Sequence, residues 1–425
     1  MNESIYDELK WRGMIHDQID GVEKLLSEKK VTLYNGFDPT ADSLHVGHMV
    51  PLIALARFQR YGHHVLALAG GGTCMIGDPS GRSAERNLLS REEVLHNVEC
   101  IKKQLAHFLD FDVKSNPAKI VNNMDWLGEL SMLDFLRDTG KYFTINYMMS
   151  KDSVKNRMDR ESGLSFTEFS YMLLQSYDFL HLHEKMGCEL QCGGSDQWGN
   201  ITAGTDLIRK KTGDAVYGLT YPLIKKSDGT KFGKTAGGAV WLDSKRTSPY
   251  KFYQFWLNTD DSDVIHYLKF FTFFDEEKIS GLASETAEHP EARAAQKALA
   301  VEMTRMMHGE TAVANAQQAS QALFGGDIIG LTAEDIHDIF SEVPSFDMPA
   351  DHFSGDGLNV VDVLTGTGFL KSKGEARRGI QEGGIYVNNN RVADAAMNVN
   401  ISNFIDGKYL VLRRGKKNYF LVKAI

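Results

Sequence analysis

Cysteine is scarce in this chain, with only Cys74, Cys100, Cys188 and Cys192 among 425 residues. That is too few for a disulfide scaffold. Cys188 and Cys192 have no second Cys or His pair near them at zinc-ligand spacing. All four are therefore expected as reduced thiols, and no structural metal is expected. Long apolar runs are missing as well, since no window approaches the roughly 18 uninterrupted apolar residues of a membrane span. Residues 1–10 are polar and carry Asp7 and Glu8, without the basic start and apolar stretch of a secretory signal. A soluble, cytoplasmic-type protein with no membrane partner is the expectation. The 42% apolar content excludes disorder as the whole account, and the length calls for two or three domains.

Positive charge is also in short supply. Forty-seven Lys and Arg face 56 acids, a net charge of -9 that on its face argues against a polyanionic partner. The distribution says otherwise. Residues 358–425 hold eleven basic side chains against five acids, a net +6, which leaves -15 on residues 1–357. A basic module on an acidic body concentrates phosphate affinity in one place.

From residue 31 to about 221, apolar strand-like runs alternate with helical stretches. Residues 31–37 read as a strand entering a turn, and 64–72 as a buried strand ending in glycines. Residues 88–109 read as a helix, with Ser90 and Glu93 as a capping box. Such alternation implies a parallel sheet covered on both faces, with ligands beyond the C-terminal strand ends. Residues 248–323 turn helical. Residues 325–357 look like a linker with one short helix, and the remainder mixes helices with short strands.

Four clusters can carry chemistry. In Asp38-Pro39-Thr40-Ala41-Asp42-Ser43-Leu44-His45-Val46-Gly47-His48, a strand ends and Ser43 is the expected N-cap of a helix. His45 and His48 then share its first turn, beside backbone N–H groups and the positive end of the dipole. That arrangement suits phosphate oxygens, and Gly47 would let a flat adenine approach the backbone. A zinc pair or a plain cap uses the same residues. In the segment 225–235, Lys231 and Lys234 lie in a small-residue stretch able to bring two ammonium groups to a developing charge. A solvated turn reads identically. Gly233-Lys234-Thr235 ends like a P-loop, but Asp228 stands where that motif needs its first glycine. Tyr171, Gln175 and Asp178 fall on one stripe of a mostly apolar helix, which makes either a polar-lined pocket or an exposed stripe. Finally, Gly193-Gly194-Ser195-Asp196-Gln197-Trp198-Gly199-Asn200 packs an acid and an amide into a strand-to-helix turn. There Asp196 can accept ribose hydroxyls. Asp78 and the guanidiniums of Arg82 and Arg86 add a further acid and two phosphate partners.

Together these motifs resemble the class I aminoacyl-tRNA synthetases. His45-Val-Gly-His48 resembles the class's HIGH motif, and Lys231-Phe-Gly-Lys234-Thr235 its KMSKS motif, in the right order. The stretches from Tyr34 to His45, from Gly77 to Arg82 and from Gly193 to Ile201 resemble the bacterial-type tyrosyl branch. So does the Tyr171/Gln175/Asp178 stripe, and residues 359–388 resemble an S4-type RNA-binding domain. The resemblance implies an α/β protein with a Rossmann-like doubly wound parallel-sheet catalytic domain at 1–221, holding a dimer-interface insertion at about 117–165. The KFGKT loop and an α-helical domain would follow at 222–325, then a linker at 326–357 and a small α+β S4-like domain at 358–425.

It further implies activation of L-tyrosine by ATP with Mg²⁺, then transfer of the tyrosyl group to the 3′-terminal ribose of tRNA(Tyr), in a homodimer. By analogy Tyr34 and Asp178 would hold the substrate phenol, and Asp78, Tyr171 and Gln175 its ammonium. Gly36, Asp38, Gly47, His48, Gly194, Asp196, Gln197 and Lys234 would hold ATP or the adenylate. Thr40, His45, His48, Lys231, Lys234, Thr235, Arg82 and Arg86 would meet the phosphates, with no general base.

Overall fold

The computed structural model describes residues 4–80, 89–158, 163–227, 229, 232–235, 238–322, 325–341, 343–416 and 418–425, with Lys234 and Thr235 described by backbone alone. The chain forms two compact units, Met1–Asp243 with Thr259–Leu299, and Ser244–Asn258 with Ala300–Ile425.

The first unit is built on five parallel strands, β1 (Thr32–Phe37), β2 (His64–Ala69), β3 (Lys119–Asn122), β4 (Cys188–Gly194) and β5 (Tyr217–Tyr221). Their order is β3-β2-β1-β4-β5. From β1 the chain winds one way through β2 and β3, then crosses back to build β4 and β5 on the other side. The crevice this reversal opens lies beyond the C-terminal ends of β1 and β4. Strand composition follows from burial on both faces, as in β2, where every residue after His64 is buried.

Helices cover the sheet. Met49–Arg60 follows β1 and buries ten of its side chains. Arg91–Leu105 begins at the expected capping box, with Ser90 Oγ accepting the Glu93 N–H at 3.2 Å and Glu93 accepting the Ser90 N–H at 2.8 Å. Phe166–Met186 starts at Ser165, whose hydroxyl accepts the Glu168 N–H, and stops at Gly187 in the left-handed region. One expected cap differs. Ser43 spends its hydroxyl on the Leu44 carbonyl and receives Gln104, while His45 is the cap of the turn Val46–His48. The imidazole Nδ1 reaches the Gly47 N–H and so takes over the acceptor's part.

The second unit contains the helix Pro249–Leu257, the helical residues up to Ala322, and a five-stranded sheet. In that sheet Tyr409–Arg414 and Asn418–Ala424 pair antiparallel, and Ser345–Met348 adds a parallel edge. The stretch 326–357 thus supplies the helix Ala333–Ile339, a strand and the buried Phe353 to this unit. The helices Val360–Gly366 and Lys373–Gln381 pack their apolar faces on the same core, which includes Leu364, Ile380, Leu410 and Val422. Among the described residues no helix is long and apolar enough to cross a membrane, and no His, Cys, Asp and Glu group is placed to hold a metal ion.

Candidate active site

A cavity of about 270 Å³ occupies the crevice at the strand reversal. Tyr34, Gly36, Asp38, Thr40, His45, His48, Asp78, Tyr171, Gln175, Asp178, Gly194, Asp196 and Gln197 all line it. Residues scattered over more than 160 positions of sequence are brought to one wall by β1, β4, the helix Phe166–Met186 and two tight turns. Arg82, Arg86 and Lys231 lie outside the described residues, as do the side chains of Lys234 and Thr235.

Gly47 stands beside the cavity and not in its wall. A β-carbon on it would come within 2.7 Å of His45 Cε1, so the space left by the missing side chain belongs to the His45 ring. The two imidazoles lie 4.0 Å apart between centroids. His45 Nδ1 accepts the Gly47 N–H at 3.0 Å and His48 Nδ1 accepts the His45 N–H at 3.2 Å. In a neutral ring that leaves the proton on Nε2, so each imidazole is a donor at its outer nitrogen.

At the deep end, Tyr34 is 1% exposed and its hydroxyl has no hydrogen-bond partner among the described residues. Burial, then the nearby Asp178 charge, pushes this phenol well above its ordinary pKa. Asp178 is equally buried, but both its oxygens are occupied: Oδ1 accepts from Trp126 Nε1 at 2.7 Å and Oδ2 from Asn123 Nδ2 at 2.9 Å. Burial raises its pKa to about 7, while those two donors pull it the other way. A buried, unpartnered hydroxyl beside a buried carboxyl is a site for a group that both accepts and donates. A phenolic hydroxyl does both.

Nearer the mouth, Asp38 accepts from Tyr171 Oη at 3.0 Å and from Thr73 Oγ1 at 3.0 Å. Asp78 accepts from the Ser80 N–H at 2.9 Å and from Gln197 Nε2 at 2.7 Å. Asn200 Nδ2 donates to Gln175 Oε1 at 3.1 Å and to Gln197 Oε1 at 3.2 Å, tying both amides into one orientation. Gly70, Gly71 and Gly72 lack the spacing of a dinucleotide fingerprint; a side chain on Gly70 would collide with the Asp38 carboxylate and Thr73. Sequence reading overlooked Asn123, Trp126, Thr73 and Asn200. Asn200 at least lay inside the quoted Gly193 motif, whereas Asn123 and Trp126 gave no local signal.

Comparison with known proteins fits this geometry. The family model for class I tRNA synthetases (W and Y) matches residues 26–325, and that for a tyrosine–tRNA ligase SYY-like C-terminal domain matches 335–422. The chain is 57% identical over 422 residues to a tyrosine–tRNA ligase of Roseiflexus castenholzii, covering 99% of this chain and 100% of the relative. It is 54% identical over 419 residues to one of Geobacillus stearothermophilus, covering 98% of each. Among solved structures, a C-terminally truncated mitochondrial tyrosyl-tRNA synthetase of Aspergillus nidulans superposes with a TM-score of 0.69 at 35% identity, covering 76% of this chain and 95% of that one. With the histidine turn, the Tyr171/Gln175/Asp178 stripe and the turn after β4 lining one cavity, and relatives this similar along its whole length, the chain belongs to the tyrosyl-tRNA synthetases of class I.

Proposed function

We propose that this protein is a tyrosine–tRNA ligase that works in two steps at the cavity described above. The carboxylate of L-tyrosine attacks the α-phosphorus of ATP, and the bond to pyrophosphate breaks, giving tyrosyl-adenylate. The 3′-terminal ribose hydroxyl of tRNA(Tyr) then attacks the adenylate's carbonyl carbon, and AMP leaves. The observation that carries the substrate is the buried Tyr34 hydroxyl beside Asp178, with no hydrogen-bond partner among the described residues.

In this reading Tyr34 donates to the substrate phenol and Asp178 accepts from it. Asp78, Tyr171 and Gln175 take the ammonium group. Asp196 takes the adenylate ribose, with Gly36, Asp38, Gly194 and Gln197 around the nucleotide, while Gly47 leaves room for the His45 ring. Lys231, Lys234, Arg82 and Arg86 neutralise charge as pyrophosphate leaves, while Thr40, Thr235, His45 and His48 donate hydrogen bonds to it. ATP enters as its Mg²⁺ complex, which belongs to the substrate. The first step needs no general base, because a carboxylate is already a nucleophile; in the second, the proton of the ribose hydroxyl passes to the phosphate oxygen of the departing AMP, so that positioning and charge stabilisation do the work.

The basic module at 358–425 takes the RNA, consistent with its net +6 and the exposed Arg377 and Arg378. Exposed apolar side chains at Met132, Leu133 and Ile145 support a homodimer through the 117–165 insertion. The protein acts in the cytoplasm in this reading. The test is amino-acid-dependent ATP–pyrophosphate exchange, run with each of the twenty amino acids and no tRNA. Exchange with tyrosine alone is expected; exchange with tryptophan overturns the pocket assignment, and no exchange from folded protein overturns the activity.

A further inference from the structure

The aromatic side chain between the two loop lysines is seated away from the cavity. Phe232 stacks on Phe271 with centroids 5.2 Å apart and planes 17° from parallel, and meets Tyr267 edge-on at 5.1 Å. Tyr267 and Phe271 are buried residues of the helix Asp261–Phe271. The following residue, Gly233, has a φ of +80° and lies against the histidine turn: a β-carbon there would come within 2.9 Å of Val46 Cγ2. Its carbonyl accepts the Val240 N–H at 3.0 Å, and the Val240 carbonyl accepts the Val46 N–H at 2.9 Å. Beyond it, Lys234–Thr235 pairs antiparallel with Gly238–Ala239.

The seat is itself pinned. The last carbonyls of a helix lack intrahelical donors, and a cation there also meets the negative end of the dipole. Arg57 fills this place, donating to the carbonyls of Phe270 at 2.9 Å, Lys269 at 3.0 Å and Thr272 at 2.6 Å. Arg12 adds bonds to Lys269 at 2.7 Å and Phe274 at 2.7 Å. Arg57 belongs to the helix Met49–Arg60, which starts immediately after His48. One helix therefore carries the two histidines at its head and, near its tail, holds the helix on which Phe232 rests.

We infer that Phe232 is a positioning residue for adenylate formation: its ring, docked on Tyr267 and Phe271, sets how the backbone runs through Gly233 into Lys234 beside the turn of His45 and His48. This rests on the proposed phosphate role of the two lysines. Phe232 touches no reacting atom; it acts through its neighbours.

The experiment measures single-turnover tyrosyl-adenylate formation and, separately, the dissociation constant for tyrosine in wild type, Phe232→Ala, Phe232→Leu and Phe232→Tyr. Misplacing a charge-stabilising group by about 1 Å lowers a rate on the order of 100-fold. Phe232→Ala and Phe232→Leu are expected to slow adenylate formation by about tenfold to 100-fold, while tyrosine binding stays within about twofold. Phe232→Tyr, which keeps the ring, should recover most of the rate. The inference is overturned if Phe232→Ala runs at the wild-type rate, if tyrosine affinity falls in parallel with the rate, or if Phe232→Tyr is as slow as Phe232→Ala. A wild-type enzyme that forms no adenylate with tyrosine overturns the activity reading itself. An active wild type with an unaffected Phe232→Ala overturns this inference alone.

Discussion

Trp126 donates its indole N–H to Asp178 at 2.7 Å, holding a fully buried carboxyl at the deep end of the cavity. Burial puts the Asp178 pKa at about 7, and the Trp126 bond opposes that rise. Trp126→Phe removes the opposition, so the pKa moves up. If the ionised form accepts the substrate phenol, the acid limb of the pH profile of kcat/KM for tyrosine moves to higher pH. A limb that moves to lower pH contradicts the assignment.

The same carboxyl sets a stability trend. Its folded pKa of about 7 lies above the value of roughly 3.9 for an unfolded Asp. The folded state therefore holds the proton more tightly between those values, and the contribution of this group to stability falls as pH rises from about 4 to 7, then levels. Asp178→Asn removes the titration. The difference in unfolding free energy between wild type and variant should vary over that window and be constant above it; a difference that is constant throughout rejects the shift.

Tyr34→Phe removes a buried hydroxyl that has no hydrogen-bond partner among the described residues. Thermal stability is expected to hold or rise slightly, because no protein hydrogen bond is lost. Discrimination of tyrosine against phenylalanine in pyrophosphate exchange should fall by about tenfold, the equivalent of roughly 1.4 kcal/mol from one hydrogen bond. Unchanged discrimination would place the substrate phenol elsewhere.

Gly47→Ala places a methyl group within 2.7 Å of the His45 ring. The ring must move, and its bond to the Gly47 N–H goes with it. Adenylate formation should drop by about tenfold or more while tyrosine binding, at the other end of the cavity, stays near wild type. Parallel loss of both would mean that the substitution disturbs the sheet.

Arg157 and Glu168 form a buried ion pair at 2.8 Å, with side chains 2% and 1% exposed. Glu168→Ala leaves a buried cation without its partner and should lower the unfolding free energy by about 3–5 kcal/mol. Replacing both, as in Arg157→Met with Glu168→Leu, should recover most of that loss. A single variant as stable as wild type in denaturant titration would show that the charge is solvated.

Much of this was legible in the sequence because the signals are local. The two histidines, the glycine-rich turn after β4 and the Ser90 capping box each act through neighbours a few residues away. The apolar period of the strands announced a parallel sheet, since burial on both faces leaves a continuous apolar run. The polar stripe at Tyr171, Gln175 and Asp178 was visible as a helical spacing, but its burial was not. Whether such a stripe meets water or a cavity depends on what the helix packs against.

By itself, then, the sequence showed the alternation of strands and helices in its first half, the motif order and the charge of the last module, while the edge strand Ser345–Met348 lay in a stretch that reads as a linker. Short-range periodicity, capping and composition are properties of the chain whatever its neighbours do. Only the tertiary structure decided how Asp178 ionises, through Asn123 and Trp126 more than fifty residues upstream. It alone revealed that Gly70 clears room for Asp38 and that Arg57 holds the helix under Phe232. Each of these depends on distances between segments remote in sequence, which are fixed when the sheet winds and its helices close over it.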